Sequence, residues 1–266
     1  DKLYISSLAY LSLGEGGGRR FSVTNPDKEA DGTVGWQNYY DANAGFTPFG
    51  NIDPIYHPSW HKSSSIIYAN RNDHNWVGLL STANYRHSDK WRFSGGMDLR
   101  TYKGIHYREV VDLFGGQYYV DDNEMKFEGD KITYHNDAII RWAGIFGVAE
   151  YITPVISTFI NVSGIYNWYK RVDYRNANPD GSASESEWYK RPGYTIKGGA
   201  NYNVNEWHSI YTNLGYIQKP PRFANVFDFS NQLFTTIEDE QITALELGYK
   251  FSRSKFALNF NAYWTN

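Results

Sequence analysis

Residues 74–104 read HNWVGLLSTANYRHSDKWRFSGGMDLRTYKG. Two alternating runs flank a short polar turn at His87 to Lys90, the pattern of a β-hairpin. One stripe holds Val77, Leu79, Ala83 and Tyr85, then Trp91, Phe93, Met97 and Leu99. The other holds Thr82, Asn84 and Arg86, then Arg92, Ser94, Asp98 and Arg100. The apolar stripe carries the two aromatics nearest the turn. Either it packs on a core with water outside, or it faces lipid with water on the polar side.

The hairpin recurs along the chain. Trp76-x-Gly78 leads to Ala83-Asn84-Tyr85, and Trp142-x-Gly144 leads at the same spacing to Ala149-Glu150-Tyr151. Gly198 to Tyr202 repeats the ending, and Leu247-Gly248-Tyr249 gives a looser copy. Each Tyr precedes a short turn: Arg86 to Lys90, Ile152 to Pro154, Asn203 to Trp207 and Lys250 to Lys255. With a first strand from Lys2 to Leu13, the reading predicts about nine strands. Return strands alternate too, as in Ile156, Thr158, Ile160, Val162, Tyr166 and Trp168 against Ser157, Asn161 and Ser163. Helical periodicity is weak, so almost no helix is expected. The links opposite the turns span 14–73, 104–138, 170–193 and 218–241, lengths that mark functional loops.

Short turns at one end and long loops at the other define the expected fold class: all-β, an antiparallel transmembrane β-barrel segment with short periplasmic turns and long extracellular loops. A soluble sandwich also alternates, but does not gather every long loop at one end. The apolar stripe then faces lipid. Tyr85, Tyr151, Tyr202 and Tyr249 form one aromatic belt; Trp168, Tyr216 and Trp264 form the other. Residues 1–266 are read as part of one barrel domain.

Bulk composition supports this reading. Aromatics make up 18% of the 266 residues, fitting a membrane girdle, sugar binding, or both. No uncharged apolar run approaches the roughly 18 residues of a spanning helix. A net charge of −3 argues against nucleic acid as a partner. The chain has no cysteine, which excludes disulfides and thiolate sites. Asp1 to Tyr4 reads as strand rather than leader.

Several stretches carry a family likeness. They are GGMDLRTYKGIHYREV with Asp112 to Gly116, Lys131 to Asp137, Tyr194 to Asn203, Asn213-x-Gly215-Tyr216, Glu246 to Tyr249 and Lys255 to Asn259. Together they resemble the barrel domain of TonB-dependent receptors, in particular relatives of SusC-like nutrient importers. The resemblance implies the bacterial outer membrane and uptake of a scarce or large solute, such as a siderophore, vitamin, oligosaccharide or peptide. It implies a barrel of roughly 22 strands closed by an N-terminal plug. Its implied partners are membrane lipid, the plug, the TonB energising system and a surface lipoprotein. About nine strands without a plug are fewer than such a receptor has, and a lone nine-stranded sheet leaves two open edges in lipid. The chain is therefore expected to be an internal piece of a longer receptor.

The candidate ligand residues are Trp36, Tyr39, Tyr40, Asp41, Tyr56 and Trp60. They lie with Phe46 and Phe49 in the longest link, where rings and carboxylates suit sugar faces, a rigid chelate, or a loop packing on itself. Arg92, Asp98, Arg100 and Glu246 are expected to face the lumen, where a plug supplies counter-charges. A hydrolase alternative uses Asp73, His74, His135 and Asp137, with a carboxylate orienting an imidazole at the barrel rim. A structural alternative makes the barrel an anchor for a surface assembly. His57 and His61 lack an accompanying carboxylate motif, which leaves a metal site unsupported. Gly14 to Arg20 lacks the ending of a phosphate loop. Asn161-Val162-Ser163 falls within a strand, which discounts glycosylation. No catalytic residue, metal ligand or cofactor is assigned.

Overall fold

Alternation over ten or more residues builds long strands, and a computed structural model shows them for residues 2–47 and 51–266. Phe49 lies outside the described residues. The strands are β1 (Leu3–Gly14), β2 (Gly17–Phe21), β3 (Ile67–Arg86), β4 (Trp91–Asp112), β5 (Tyr119–Asp121), β6 (Glu124–Lys126), β7 (Lys131–Ile152), β8 (Ile156–Asp173), β9 (Ser184–Glu185), β10 (Tyr189–Asn203), β11 (His208–Lys219), β12 (Glu240–Arg253) and β13 (Phe256–Thr265). One sheet runs β1-β3-β4-β7-β8-β10-β11-β12-β13, with β2 extending along β3 and β9 along β8. Every neighbouring pair is antiparallel. The nine-strand path matches the sequence reading, and the sheet is open at β1 and β13 among the described residues.

Register assigns the faces. Leu79 pairs with Leu99, which pairs with Ala143; one residue on, Gly78 pairs with Arg100, which pairs with Trp142. Because side chains alternate, these two rows lie on opposite faces. Ile145 is 71% exposed and Leu214 60% exposed, whereas the Asp98 side chain on the polar face is 27% exposed. Large apolar groups outward and enclosed polar groups inward are the inverse of a water-soluble sheet, and what a lipid-facing wall requires. The turn-side belt is visible as Trp91 packed on Phe93 and Tyr151 at 5.8 and 5.0 Å. The loop-side belt holds Tyr166 with Trp168 at 4.8 Å, and Tyr194 with Tyr216 at 5.8 Å.

One expectation needs correction. The strands outrun the bilayer: β4 and β7 each have 22 residues and β3 has 20, against 15 in β10 and 12 in β11. The long links accordingly shrink to 15–66, which contains β2, and to 113–130, 174–188 and 220–239. Above the lipid both faces meet water, so the alternation that marked the strands fades while the ladder continues. Almost no helix is present, as expected: among the described residues the α-helix is α1 (Trp36–Ala44), in the first link. It lacks a side-chain cap at Gly35 and ends at Gly45 in the left-handed region, φ 78°. Its weak local signal is overridden by tertiary packing.

The buried clusters lie at the loop end. Ile66, Val110, Leu113 and Ile132 form one, at the tops of β3, β4 and β7. Tyr169, Val226 and Phe227 form the other, where the 220–239 loop folds onto β8 and Tyr169 donates its hydroxyl proton to the Pro221 carbonyl at 3.0 Å.

Candidate functional site

On the lumen face, β1, β3, β4 and β7 bring Tyr10, Trp76, Arg100, Tyr102 and Trp142 into one cluster. Trp76 meets Tyr10, Tyr102 and Trp142 edge-on, at 6.3, 5.6 and 6.1 Å. Gly78 makes room: a Cβ there would run into the Tyr10 ring. The Arg100 guanidinium carbon lies 5.0 Å from the Trp142 ring centre and 6.0 Å from that of Trp76, within cation–π range. Its Nε donates to Asp98 Oδ1 at 2.6 Å. The indole nitrogen of Trp76 is buried without an acceptor among the described residues.

Further round the wall, Glu246 accepts a hydrogen bond from Asn213 at 2.9 Å. Arg92 stands opposite Glu150 in register. The four expected lumen charges thus share the polar face. Asp98 and Arg100 meet each other, while Arg92 and Glu246 are spread along the sheet. The sequence reading missed Tyr10, Tyr102 and Trp142 as lumen residues. The signal was there in the Trp-x-Gly repeats, since a Trp two places before a lumen-facing Gly shares its face.

On the loop side, α1 is pinned by Asn43, which is fully buried. Its amide donates to the carbonyls of Ser65, Phe114 and Leu113 at 2.7, 2.9 and 3.3 Å, and its oxygen accepts from Ser64 N at 2.9 Å. Phe21 packs edge-on against Trp36, Tyr39 and Phe114, and Tyr40 meets Phe114 at 6.1 Å. The Tyr39 hydroxyl accepts from Asp27 N, and Asp41 accepts from Gln37. Tyr39 and Asp41 therefore serve the loop's own packing, while Trp36 and Tyr40 stay exposed. Tyr56 and Trp60 form a separate group, Tyr56 against Tyr118 and Trp60 stacked on His57 at 4.1 Å.

The hydrolase constellation does not assemble. His74 pairs with Gly104 and stacks on Tyr102, on the lumen face. Asp73 and Asp137 both pair with Ile105, on the outer face. Asp73 accepts from Tyr107 and from Gly16 N; Asp137 holds Lys103 at 2.7 Å and the Tyr174 hydroxyl at 2.7 Å. Burial, then that hydrogen bond to the carboxylate, pushes the Tyr174 hydroxyl up to about 12. His135 stacks on Tyr174 and bonds Lys131, with no carboxylate hydrogen-bonded to it among the described residues. His57 Nδ1 accepts from the backbone N–H of Trp60 at 3.0 Å, which closes a local turn. No cluster of three potential metal ligands occurs among the described residues.

An open antiparallel wall, lipid-facing outside, aromatic and charged inside, with structured loops at one end, is a segment of an outer-membrane barrel. The family model described as TonB dependent receptor-like, beta-barrel matches residues 8–266, and the chain belongs to that family. Among solved structures it is similar to the copper transporter OprC, with a TM-score of 0.56 and 15% identity over 74% of this chain. The match spans 30% of the length of OprC. A comparison with curated proteins gave no match.

Proposed function

We propose that this chain is an arc of the plugged barrel of a TonB-dependent outer-membrane transporter. Loops capture a scarce or large solute, and the lumen conducts it once an energised inner-membrane partner displaces the plug. The observation that carries this reading is the continuous inner wall of Tyr10, Trp76, Trp142, Arg100 and Asp98 beneath a structured loop layer. Rings with an adjacent guanidinium and carboxylate suit a solute with apolar faces and polar edges, such as an oligosaccharide, siderophore, vitamin or peptide. The copper in OprC's name is not carried over, because likeness at this identity concerns the fold.

Trp36, Tyr40, Tyr56 and Trp60 are the proposed capture residues, and Arg92, Asp98, Arg100 and Glu246 the proposed contacts of plug and solute. Trp36, Tyr40 and Phe46 also offer an exposed surface to a surface lipoprotein. The test is growth of a deletion strain complemented with the receptor, on each solute class as sole source. Dependence on the receptor, abolished by a protonophore, supports import. Growth indifferent to the receptor on every class, or uptake that persists without the energy source, refutes it.

A further inference from the structure

The lipid-facing stripe of the central strands is free of charge between the two belts and then becomes basic. On β7 it runs Tyr151, Ala149, Gly147, Ile145, Ala143 and then Arg141; on β8 it runs Ile156 to Trp168 and then Lys170. On β4 it reaches Lys103 past Leu99 and Thr101, and on β10 it reaches Lys190 past Tyr194 and Pro192. Register places these cations on two adjacent rungs: Thr101, Arg141, Trp168 and Lys190 on one, and Lys103, Ile139 and Lys170 on the next. The ten steps from Tyr151 to Arg141 climb about 25 Å at ordinary rise and tilt, the height of the apolar band. Arg141 thus stands where hydrocarbon ends and headgroups begin.

At their loop-side ends the outer stripes of β11 and β12 carry Gln218 and Gln241, which register with Tyr194, two same-face rungs below Lys190. Two carboxylates pair with cations of the patch: Asp137 holds Lys103 at 2.7 Å, and Glu185 holds Lys170 at 2.5 Å, while Asp73, on the rung of Asp137, is taken up by Tyr107 and Gly16 N. Arg141 and Lys190 are exposed and make no ion pair among the described residues. The Trp188 ring lies between Arg141 and Lys170, 4.8 and 5.7 Å from their charged groups, and fixes both at the surface.

We infer that Arg141, Lys190, Lys170 and Lys103 form an outer-wall site for a phosphate-bearing lipid headgroup of the loop-side leaflet. The excess positive charge matches a phosphate, and Arg141 and Lys190, two strands apart, are spaced by roughly 10 Å, within the span of one headgroup. A lipid is favoured over a soluble anion because the patch continues directly from the lipid-facing stripe and its Tyr166–Trp168 belt. This inference rests on the outer-membrane barrel reading.

The test uses the receptor extracted from its own outer membrane in mild detergent, with native mass spectrometry of retained lipid. It is followed by reconstitution in nanodiscs of phosphatidylcholine with or without phosphatidylglycerol. Wild type is expected to retain phosphorylated lipid and to enrich phosphatidylglycerol around it. Arg141→Gln with Lys190→Gln should weaken both, on the order of fivefold per cation removed. Lys131→Gln, on the same face but farther from the lipid, should leave both unchanged. Equal retention in all three proteins overturns the site, as does displacement of the lipid by millimolar inorganic phosphate. A protein absent from the outer-membrane fraction, and showing no heat-dependent gel shift, fails at the barrel reading itself and takes the inference with it.

Discussion

Arg100 lies over the indole of Trp142, its guanidinium carbon 5.0 Å from the ring centre, while its Nε holds Asp98 at 2.6 Å. The ring and the carboxylate thus fix one cation from two sides. A double-mutant cycle of Arg100→Lys and Trp142→Leu should give a coupling of about 0.5–2 kcal/mol in urea unfolding of the lipid-reconstituted barrel. Strict additivity would show that the two side chains are merely neighbours.

Asn43 secures α1 to the tops of β3 and β4 through a fully buried amide. Asn43→Ala leaves the Ser65 and Phe114 carbonyls and the Ser64 backbone N–H unanswered, while Leu113 keeps Ser63 as donor, a loss of about 2–4 kcal/mol in docking of the first loop. Limited proteolysis within residues 22–66 should accelerate at least tenfold while the heat-dependent gel shift of the barrel is kept. Unchanged cleavage would mean that the ring contacts of Phe21 and Phe114 hold the helix unaided.

Gly96 faces the lumen where the Ser81 carbonyl and the Phe146 ring close in on it, and a Cβ has no room. Gly96→Val should destabilise the barrel by about 1–3 kcal/mol through overpacking. Gly147, with open space around its missing Cβ, is the control: Gly147→Ala should be near neutral in the same urea titration.

The spanning part of the fold was legible because lipid enforces its pattern. Leu79, Met97 and Leu99 must be apolar when nothing but hydrocarbon covers them, and Tyr85 and Tyr151 mark the interface beneath. Above the headgroups that constraint lapses. The upper turns of β3 and β4, such as Asn70, Arg71, Asn72 and Asp73 against Ile105 to Arg108, are polar or mixed on both faces and read as loop. The candidate site divides the same way. Arg100 and Asp98 were found by alternation, whereas the contact of Trp36 with Phe21 and Phe114 joins distant stretches of chain that no local period links.

Asp53 holds Lys62 at 3.0 Å across the second half of the first loop, and its carboxyl lies below its ordinary value, chiefly through that hydrogen bond. A depressed carboxyl favours the folded loop above the unfolded value of 3.8, and that support is lost as pH falls below it through the folded value. Amide protection factors around Tyr56, referenced to the intrinsic exchange rate at each pH, should therefore fall on acidification through this window. In Asp53→Asn the same protection factors should not change with acid, and a persistent acid response there would assign it to another group.

Unequal strand lengths shape the doorway. β3, β4 and β7 rise well past the bilayer as a tall parapet carrying α1, while β10 and β11 end close to the headgroups and their loop bends inward. Along this arc the rim therefore slopes. The exposed rings of Trp36 and Tyr40 stand on the tall flank, and the low flank is formed by β10 and β11.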